Sequence, residues 1–192
     1  MKKNLTLTGM MGVGKTTIGK RLAKKLNYAF VDVDKIIEKQ EGESISSIFK
    51  NKGEDYFRKL ETQQTLKELK KDKSVISLGG GAFLNSTIRQ CSKKHSISFW
   101  LDVPIETLLK RLKKSKNRPV LGKDKIDGSI KKIYFIRKKF YNKANHRIKC
   151  KTRFIRLTTT RICLSTNSII AKLANQKFIL FFLRKTKLYK LF

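Results

Sequence analysis

Short apolar runs alternate along the chain with longer segments in which apolar residues recur every three or four positions. The first apolar run, residues 5–8, stops at a glycine, and the segment after it carries Ile18, Leu22 and Leu26 with Lys and Arg between them. A short apolar run is typical of a buried strand, and a four-residue spacing is typical of an amphipathic helix. The chain is therefore predicted to open with a strand, a glycine turn and a helix.

The same alternation continues through the first two thirds of the chain. Strands are predicted at residues 5–8, 29–32, 75–78 and 96–101, and helices at residues 16–26, 34–40, 44–52, 54–71, 86–93 and 105–113. Strands separated by helices imply right-handed crossovers and a parallel sheet. We predict an α/β fold in three layers, with a central parallel sheet and helices on both of its faces.

A polar stretch interrupts this pattern at residues 114–125. It contains Pro119 and Gly122 and has little apolar surface to bury, which predicts a mobile loop. Asp127 is then placed to cap a further helix. On one face of that helix lie Ile130, Ile133, Tyr134, Arg137 and Tyr141.

Residues 9–16 fit the pattern G-x-x-x-x-G-K-T between a predicted strand and a predicted helix. Its glycines let backbone N–H groups turn toward phosphate oxygens, and the helix N-terminus adds partial positive charge. Lys15 is expected between the β- and γ-phosphates, and Thr16 is expected to bind Mg²⁺ through its hydroxyl. The alternative is a glycine turn that only joins strand to helix. We expect ATP to be bound by Gly12, Val13, Gly14, Lys15, Thr16 and Thr17.

Two aspartates stand at the end of the second predicted strand. Because positions i and i+2 of an extended chain point to the same side, the carboxylates of Asp32 and Asp34 can both face the phosphate loop. Residues 75–78 contain no acid, so Asp32 is the better candidate to hold water around Mg²⁺. Asp34 is then available to accept a hydroxyl proton from the phosphate acceptor. The simpler interpretation is that Asp34 only caps the next helix.

Six sequence elements together resemble the shikimate kinase family in order and spacing. They are the phosphate loop at 9–16, the Asp-x-Asp pair at 32–34, Phe57-Arg58-Lys59-Leu60-Glu61, the glycines at 79–81, Asn117-Arg118-Pro119-Val120-Leu121, and Arg137 followed by Tyr141 and Ala144. The resemblance implies a P-loop kinase fold. It also implies Mg²⁺-dependent transfer of the ATP γ-phosphate to the 3-hydroxyl of shikimate, a step toward chorismate and the aromatic amino acids.

The resemblance assigns the substrate to Asp34, Arg58, Gly79, Gly80, Gly81 and Arg137. Guanidinium groups suit the carboxylate of shikimate, and an aspartate can accept hydrogen bonds from its hydroxyls. The glycines allow a ligand to approach the backbone closely. Glu61, three residues after Arg58 on a predicted helix, is placed to hold that guanidinium. An ordinary surface ion pair is the alternative for these two residues.

The loop around Arg118 resembles the family's lid. Closure would bring the Arg118 cation to the γ-phosphate and exclude water. Lys15, Asp34 and Arg118 are therefore the expected catalytic residues. Arg111 matches a position that lies against the adenine in the family, although a solvated charge on a basic helix is an equally good interpretation.

Charge divides the chain into two parts. The 192 residues include 46 basic and 14 acidic side chains, for a net charge of +32, and the last acid is Asp127. The resemblance ends near residue 149, which predicts a kinase-like domain at 1–149 and a divergent basic tail at 150–192. The tail is either an extension that binds a membrane surface or nucleic acid, or the product of a disrupted reading frame, and we favour the second. A last strand of the sheet is expected beyond residue 149 in an intact family member.

The remaining features limit the choice of function. Cys91, Cys150 and Cys163 have no zinc or disulfide spacing, and the apolar run 178–183 is too short to cross a bilayer. No signal peptide is recognisable, so a cytoplasmic monomer acting on ATP and shikimate is expected, without a specific nucleic acid partner. The alternatives are another P-loop kinase, such as a gluconate kinase, or an inactive copy that binds nucleic acid through its basic charge.

Overall fold

The computed structural model describes residues 4–113, 123–150, 159–160 and 162–163, with the backbone alone at 123–126. The chain forms a five-stranded sheet in the order β2-β3-β1-β4-β5, and every pairing is parallel. The strands are β1 Asn4–Thr8, β2 Ala29–Asp32, β3 Ser74–Ser77, β4 Ser96–Asp102 and β5 His146–Lys149. The helices are α1 Lys15–Leu26, α2 Val33–Glu41, α3 Ile45–Leu69, α4 Ser86–His95, α5 Ile105–Lys113 and α6 Lys123–Tyr141, with a short 3-10 helix at Ala82–Leu84. The predicted α/β fold with a parallel sheet is confirmed.

The direction of the crossovers explains why helices cover both faces. From β1 the chain moves past β3 to reach β2, and from β2 onward it moves across the sheet in the opposite direction. Right-handed crossovers in opposite directions place their helices on opposite faces. A strand covered on both faces is buried on both sides, and all five residues of the central strand β1 are buried, including the polar Asn4, Thr6 and Thr8.

Helix α3 is two helices joined at a kink. Its first turn is capped by Ser44, whose side chain accepts a hydrogen bond from the Ser47 amide. Gly53 has φ 82° and ψ 170°, which breaks the helix between residues 52 and 54. This break is where the sequence predicted two separate helices, and the second of them carries Arg58 and Glu61 toward the sheet.

Helix α6 begins earlier than the sequence predicted. Residues 123–125 are helical, so they do not belong to a loop, and Asp127 lies inside the helix instead of capping it. Asp127 forms a 2.9 Å ion pair with Lys113 at the end of α5. The helix dipole also favours an acid near a helix N-terminus. The remainder of the predicted lid, residues 114–122 with Arg118, lies outside the described residues.

The last strand, β5, was placed wrongly by the sequence. It occupies His146–Lys149 and pairs with β4, with Phe99 opposite His146, so the last strand in the described part of the chain ends before residue 150. Of its four residues only Ile148 is buried, as expected of an edge strand. Because the other three residues are polar, the sequence contained no apolar run from which to predict this strand. Ile162 and Cys163 are buried as well, whereas most of the predicted tail lies outside the described residues. In the part of the chain that the structure describes, no helix is long and apolar enough to span a membrane.

Candidate active site

The phosphate loop connects the carboxyl end of β1 to α1. Gly9, Gly12 and Gly14 have φ values of 138°, 78° and 96°, a region that residues with side chains rarely adopt. At Gly9 the backbone also passes close to β4, because an added Cβ would lie 2.8 Å from the Leu101 carbonyl oxygen. The glycines therefore shape the turn that leads into the N-terminus of a 12-residue helix.

Lys15, the first residue of α1, folds back over this loop. Its ammonium donates to the carbonyl oxygens of Gly9 at 2.9 Å and Met10 at 3.1 Å. These bonds hold a positive charge above a turn whose amides belong to residues 12–17, the predicted ATP-binding set. Val13 is buried, while Thr16 and Thr17 are exposed at the helix start.

Thr16 and Asp32 meet where α1 begins and β2 ends. The Thr16 hydroxyl donates to Asp32 Oδ2 at 2.7 Å. Hydroxyl and carboxylate oxygens are the ligands that Mg²⁺ prefers, and Mg²⁺ is commonly held by one or two such groups together with substrate phosphates. The donor set fits the predicted ion. Among the described residues there is no larger cluster of His, Cys, Asp and Glu that could hold a metal.

Asp34 and Glu61 both face Gly79, just beyond β3. An added Cβ at Gly79 would overlap Glu61 Oε1 and lie 2.8 Å from Asp34 Oδ1. Asp34 lies inside the first turn of α2, whereas the N-cap position belongs to Asp32, so Asp34 is not the capping residue that the simpler interpretation made it. Asp34 is also close enough to Glu61 to raise the pKa of that carboxyl. The two carboxylates therefore share one small space at the carboxyl edge of the sheet.

Arg58 is held by two glutamates on its own helix. Its Nη1 donates to Glu61 at 2.7 Å, and its Nε and Nη2 donate to Glu54 at 3.0 and 2.9 Å. Glu61 is 2% exposed, so the pair is not the ordinary surface ion pair that the sequence left open. Burial lowers the pKa of Arg58, but the two glutamates outweigh it and the net shift is upward.

The surroundings of Glu61 disfavour the charged form of its carboxyl. Burial raises the pKa of its carboxyl, Arg58 opposes this, and Asp34 adds to it. Its second oxygen, Oε1, is buried without a hydrogen-bond partner among the described residues. A buried acceptor without a partner is costly, which makes this oxygen a natural partner for a ligand hydroxyl or a water.

Two arginines approach the glycine turn from different helices. An added Cβ at Gly81 would overlap the Arg58 guanidinium, and one at Gly80 would lie 3.3 Å from Arg137 Nη1. The same Gly80 position is 3.5 Å from the Met11 amide of the phosphate loop. The structure thus brings the predicted substrate residues, from α2, α3, α6 and the 79–81 turn, next to the predicted ATP residues.

Arg111 packs against the phosphate loop from α5. Its Nη1 lies 3.4 Å from the carbonyl oxygens of both Gly12 and Val13, and the neighbouring Leu112 lies 3.2 Å from a Cβ placed on Gly12. Arg111 is therefore half-buried on the nucleotide side of the site. A contact with adenine stays a prediction, and the predicted Arg118 lies outside the described residues.

Two contributors to the site were missed from the sequence. Glu54 is the second partner of Arg58, and its position four residues earlier on the helix was the available signal. The Tyr141 hydroxyl donates to the Gly80 carbonyl oxygen, a contact that no sequence spacing could indicate.

The chain matches one protein family over most of its length. The family described as shikimate kinase matches residues 11–174. A shikimate kinase from Sulfurihydrogenibium sp. (strain YO3AOP1) is 47% identical over 146 residues, which cover 76% of this chain and 87% of the relative. A shikimate kinase from Persephonella marina is 43% identical over 146 residues, covering 76% of this chain and 88% of the relative.

Solved structures show the same similarity. A shikimate kinase from Acinetobacter baumannii in complex with shikimate superposes with a TM-score of 0.82 at 32% identity, covering 88% of this chain and 94% of the other. A gluconokinase from Sinorhizobium meliloti reaches a TM-score of 0.56 at 13% identity, covering 91% of this chain and 97% of the other. The second likeness extends to the fold alone.

Proposed function

The chain belongs to the shikimate kinase family of ATP-dependent kinases, and we propose that its residues transfer the γ-phosphate of ATP to the 3-hydroxyl of shikimate. The observation that carries this proposal is the meeting of Asp34, Arg58, Arg137 and the 79–81 turn beside the phosphate loop. One side of this space suits a triphosphate, and the other suits a small acid with hydroxyl groups.

On the phosphate side the chain supplies positive charge without covalent chemistry. The amides at the start of α1 and the Lys15 ammonium offset the charge of the β- and γ-phosphates. Thr16 and Asp32 would hold Mg²⁺, which when bound neutralises charge on the transferring phosphates. By its position in the family pattern, Arg118 adds a cation at the γ-phosphate, and Arg111 flanks the adenine.

On the acceptor side Asp34 orients the reacting hydroxyl. The hydroxyl oxygen forms the new bond to the γ-phosphorus while the bond from that phosphorus to the β–γ bridging oxygen breaks. The hydroxyl proton passes to Asp34, and ADP leaves with the bridging oxygen. The products are shikimate 3-phosphate and ADP.

Arg58 and Arg137 bind the shikimate carboxylate. Their guanidinium groups border Gly81 and Gly80 respectively, so an acid lying on the turn meets both. Guanidinium forks form strong, directional hydrogen bonds with carboxylates. Glu54 and Glu61 hold Arg58 in place, and this fixed orientation favours one pose of the acid.

A coupled assay of ADP release on the purified chain tests this proposal. We expect ADP release in the presence of ATP, Mg²⁺ and shikimate, and only background release without shikimate. Gluconate, offered at the same concentration, is expected to give background release as well. Release that depends on gluconate and not on shikimate would replace the proposal with the gluconate kinase alternative.

Binding of DNA at physiological salt separates the remaining alternative. A chain with a net charge of +32 can bind DNA weakly at low salt, but such binding falls steeply as salt rises. Tight binding at physiological salt together with no shikimate-dependent turnover would support the nucleic-acid-binding alternative. A monomeric state and a cytoplasmic location stay predictions.

We further infer that the acid-free residues 150–192 result from a disrupted reading frame. Support comes from the composition of this segment, whose 43 residues contain 10 basic and no acidic side chains, although the shikimate kinase family match continues to residue 174. The coding DNA tests this directly. An alternative frame after codon 150 should encode an acid-containing amphipathic helix, and its absence from both frames would overturn the inference.

A further inference from the structure

Helix α6 carries one arginine between two buried tyrosines. Tyr134, Arg137 and Tyr141 stand at positions i, i+3 and i+7, which places them on one face of the helix. Tyr134 is 8% exposed and Tyr141 is fully buried, whereas Arg137 is half-buried at the glycine turn. Each tyrosine hydroxyl reaches a different part of the sheet's carboxyl edge.

The first tyrosine is bonded to the end of β4. The Tyr134 hydroxyl donates to Asp102 Oδ1 at 3.2 Å. The other oxygen of Asp102 accepts from Arg147 of β5 through Nε at 2.9 Å and Nη2 at 2.7 Å. Arg147 also lies 4.6 Å from the centre of the Trp100 ring, so the acceptor of the Tyr134 bond is fixed by two strands.

The second tyrosine is bonded to the substrate turn. The Tyr141 hydroxyl donates to the Gly80 carbonyl oxygen and lies 3.7 Å from the Met10 sulfur in the phosphate loop. Burial raises the pKa of Tyr141 to about 12, against the charge of Arg137 and a side-chain hydrogen bond between Arg137 and the tyrosine hydroxyl. Burial together with Asp102 raises the pKa of Tyr134 to about 12. Both hydroxyls are therefore protonated donors at neutral pH.

We propose that Tyr134 and Tyr141 are positioning residues for Arg137, because their two hydroxyl bonds fix the rotation of α6 over the sheet and hold the Arg137 guanidinium beside Gly80. Apolar packing alone lets a helix rotate slightly about its axis, whereas a directional bond on each side of Arg137 opposes such rotation. The proposal rests on the proposed role of Arg137 in binding the shikimate carboxylate.

Removal of each hydroxyl tests the proposal. Tyr134→Phe and Tyr141→Phe are compared with Tyr56→Phe, a matched control in which an exposed tyrosine loses a 2.9 Å bond to Glu41, a residue with no assigned role in the site. We expect each of the first two variants to raise the dissociation constant of shikimate roughly three- to tenfold in calorimetric titrations, since one hydrogen bond contributes on that scale. The KM for ATP should stay unchanged, and Tyr56→Phe should leave both constants unchanged.

A double-mutant cycle shows whether the tyrosines act through Arg137. Arg137→Lys keeps the charge but loses the guanidinium fork, and by itself it should weaken shikimate binding. If the tyrosines only position that fork, Tyr134→Phe and Tyr141→Phe should weaken binding much less in the Arg137→Lys background. Effects that multiply independently in both backgrounds would indicate a general structural role and overturn the proposal.

The outcomes separate this inference from the proposed function. Weaker binding in Arg137→Lys with unchanged binding in both tyrosine variants overturns the positioning role alone. Unchanged binding in Arg137→Lys overturns the role of Arg137 itself, and the inference falls with it. If Tyr141→Phe does not fold, Tyr134→Phe provides the test, because Tyr134 is 8% exposed whereas Tyr141 is fully buried.

Discussion

Glu61 accepts a 2.7 Å hydrogen bond from Arg58 while its own side chain is almost completely buried. The pair therefore places a carboxylate in a poorly solvated position in order to orient a guanidinium that remains accessible to a ligand. Such a pair contributes little net stability, because the cost of removing the carboxylate from water offsets much of the attraction. The main effect of the pair is to fix the orientation of the Arg58 guanidinium.

The buried Glu61 predicts a specific pH dependence of stability. Burial raises its pKa above the ordinary value of 4.5, so the folded protein binds this proton more tightly than the unfolded chain does. Between pH 4.5 and the raised pKa, the Glu61 contribution to the free energy of unfolding should fall as the pH rises. Urea unfolding of the chain and of Glu61→Gln across pH 4.5–7.5 measures this difference.

In that experiment Glu54→Gln is the matched control, since it removes the exposed partner of the same arginine. It should keep the pH dependence that Glu61→Gln loses. Equal slopes for the chain and Glu61→Gln would contradict the prediction.

Asp34→Asn should abolish turnover and leave ATP binding largely intact. The amide keeps the shape of the side chain but does not accept the hydroxyl proton, and loss of a general base lowers kcat by about 10²–10⁴-fold. Coupled ADP release and calorimetric titration with an ATP analogue measure the two properties. Turnover at the rate of the unchanged chain would remove Asp34 from the mechanism.

Asp32→Asn should increase the Mg²⁺ concentration needed for half-maximal rate. Asp32 accepts the 2.7 Å bond from Thr16, and changes in groups that support a metal commonly lower its affinity by roughly 10–100-fold. The rate is measured against Mg²⁺ at fixed ATP and shikimate. Asp55→Asn, an exposed change on α3, is the control and should reproduce the original curve.

Gly79→Ala should weaken shikimate binding and destabilise the fold. A methyl group there overlaps Glu61 and comes within 2.8 Å of Asp34, and overpacking of this kind costs about 1–3 kcal/mol. Gly128→Ala in α6 is the matched control, because nothing lies within 4 Å of an added Cβ. That change should stabilise the helix by about 0.5–1 kcal/mol, and thermal unfolding with shikimate titration compares the two variants.

Most of the fold could be predicted because its local and long-range signals agree. The strands contain apolar residues within short segments, helix α1 carries a four-residue apolar period, and α2 ends at Gly42. Strand β5 lacks this signal, because it buries only Ile148, leaves His146 half-buried and exposes Arg147 and Lys149. The start of α6 was predicted wrongly for a different reason. Asp127 lies inside the first turns of the helix, and in a sequence such an acid resembles an N-cap residue.

The site was predictable to the extent that its chemistry lies in continuous motifs. The phosphate loop and the Asp32–Asp34 pair are local patterns, and Asp32 does meet Thr16 of the phosphate loop. The extended geometry assumed for the pair was wrong, because α2 begins at Val33 and Asp34 faces Gly79 from within that helix. The hydroxyl contact between Tyr141 and Gly80 joins residues 61 positions apart and depends on how α6 packs. Contacts of this kind are set by tertiary packing and leave no trace in spacing.

The position of β5 also has a consequence for synthesis of the chain. Among the described residues, the last strand ends at Lys149, and β5 pairs with β4 alone. At about 5–20 residues per second, adding residues 151–192 takes roughly 2–8 s, whereas small mixed α/β domains commonly fold on the order of milliseconds. Because the ribosomal exit tunnel encloses the most recently added residues, β5 emerges only while the C-terminal residues are being made, so the four strands before it can pair first and β5 joins β4 last.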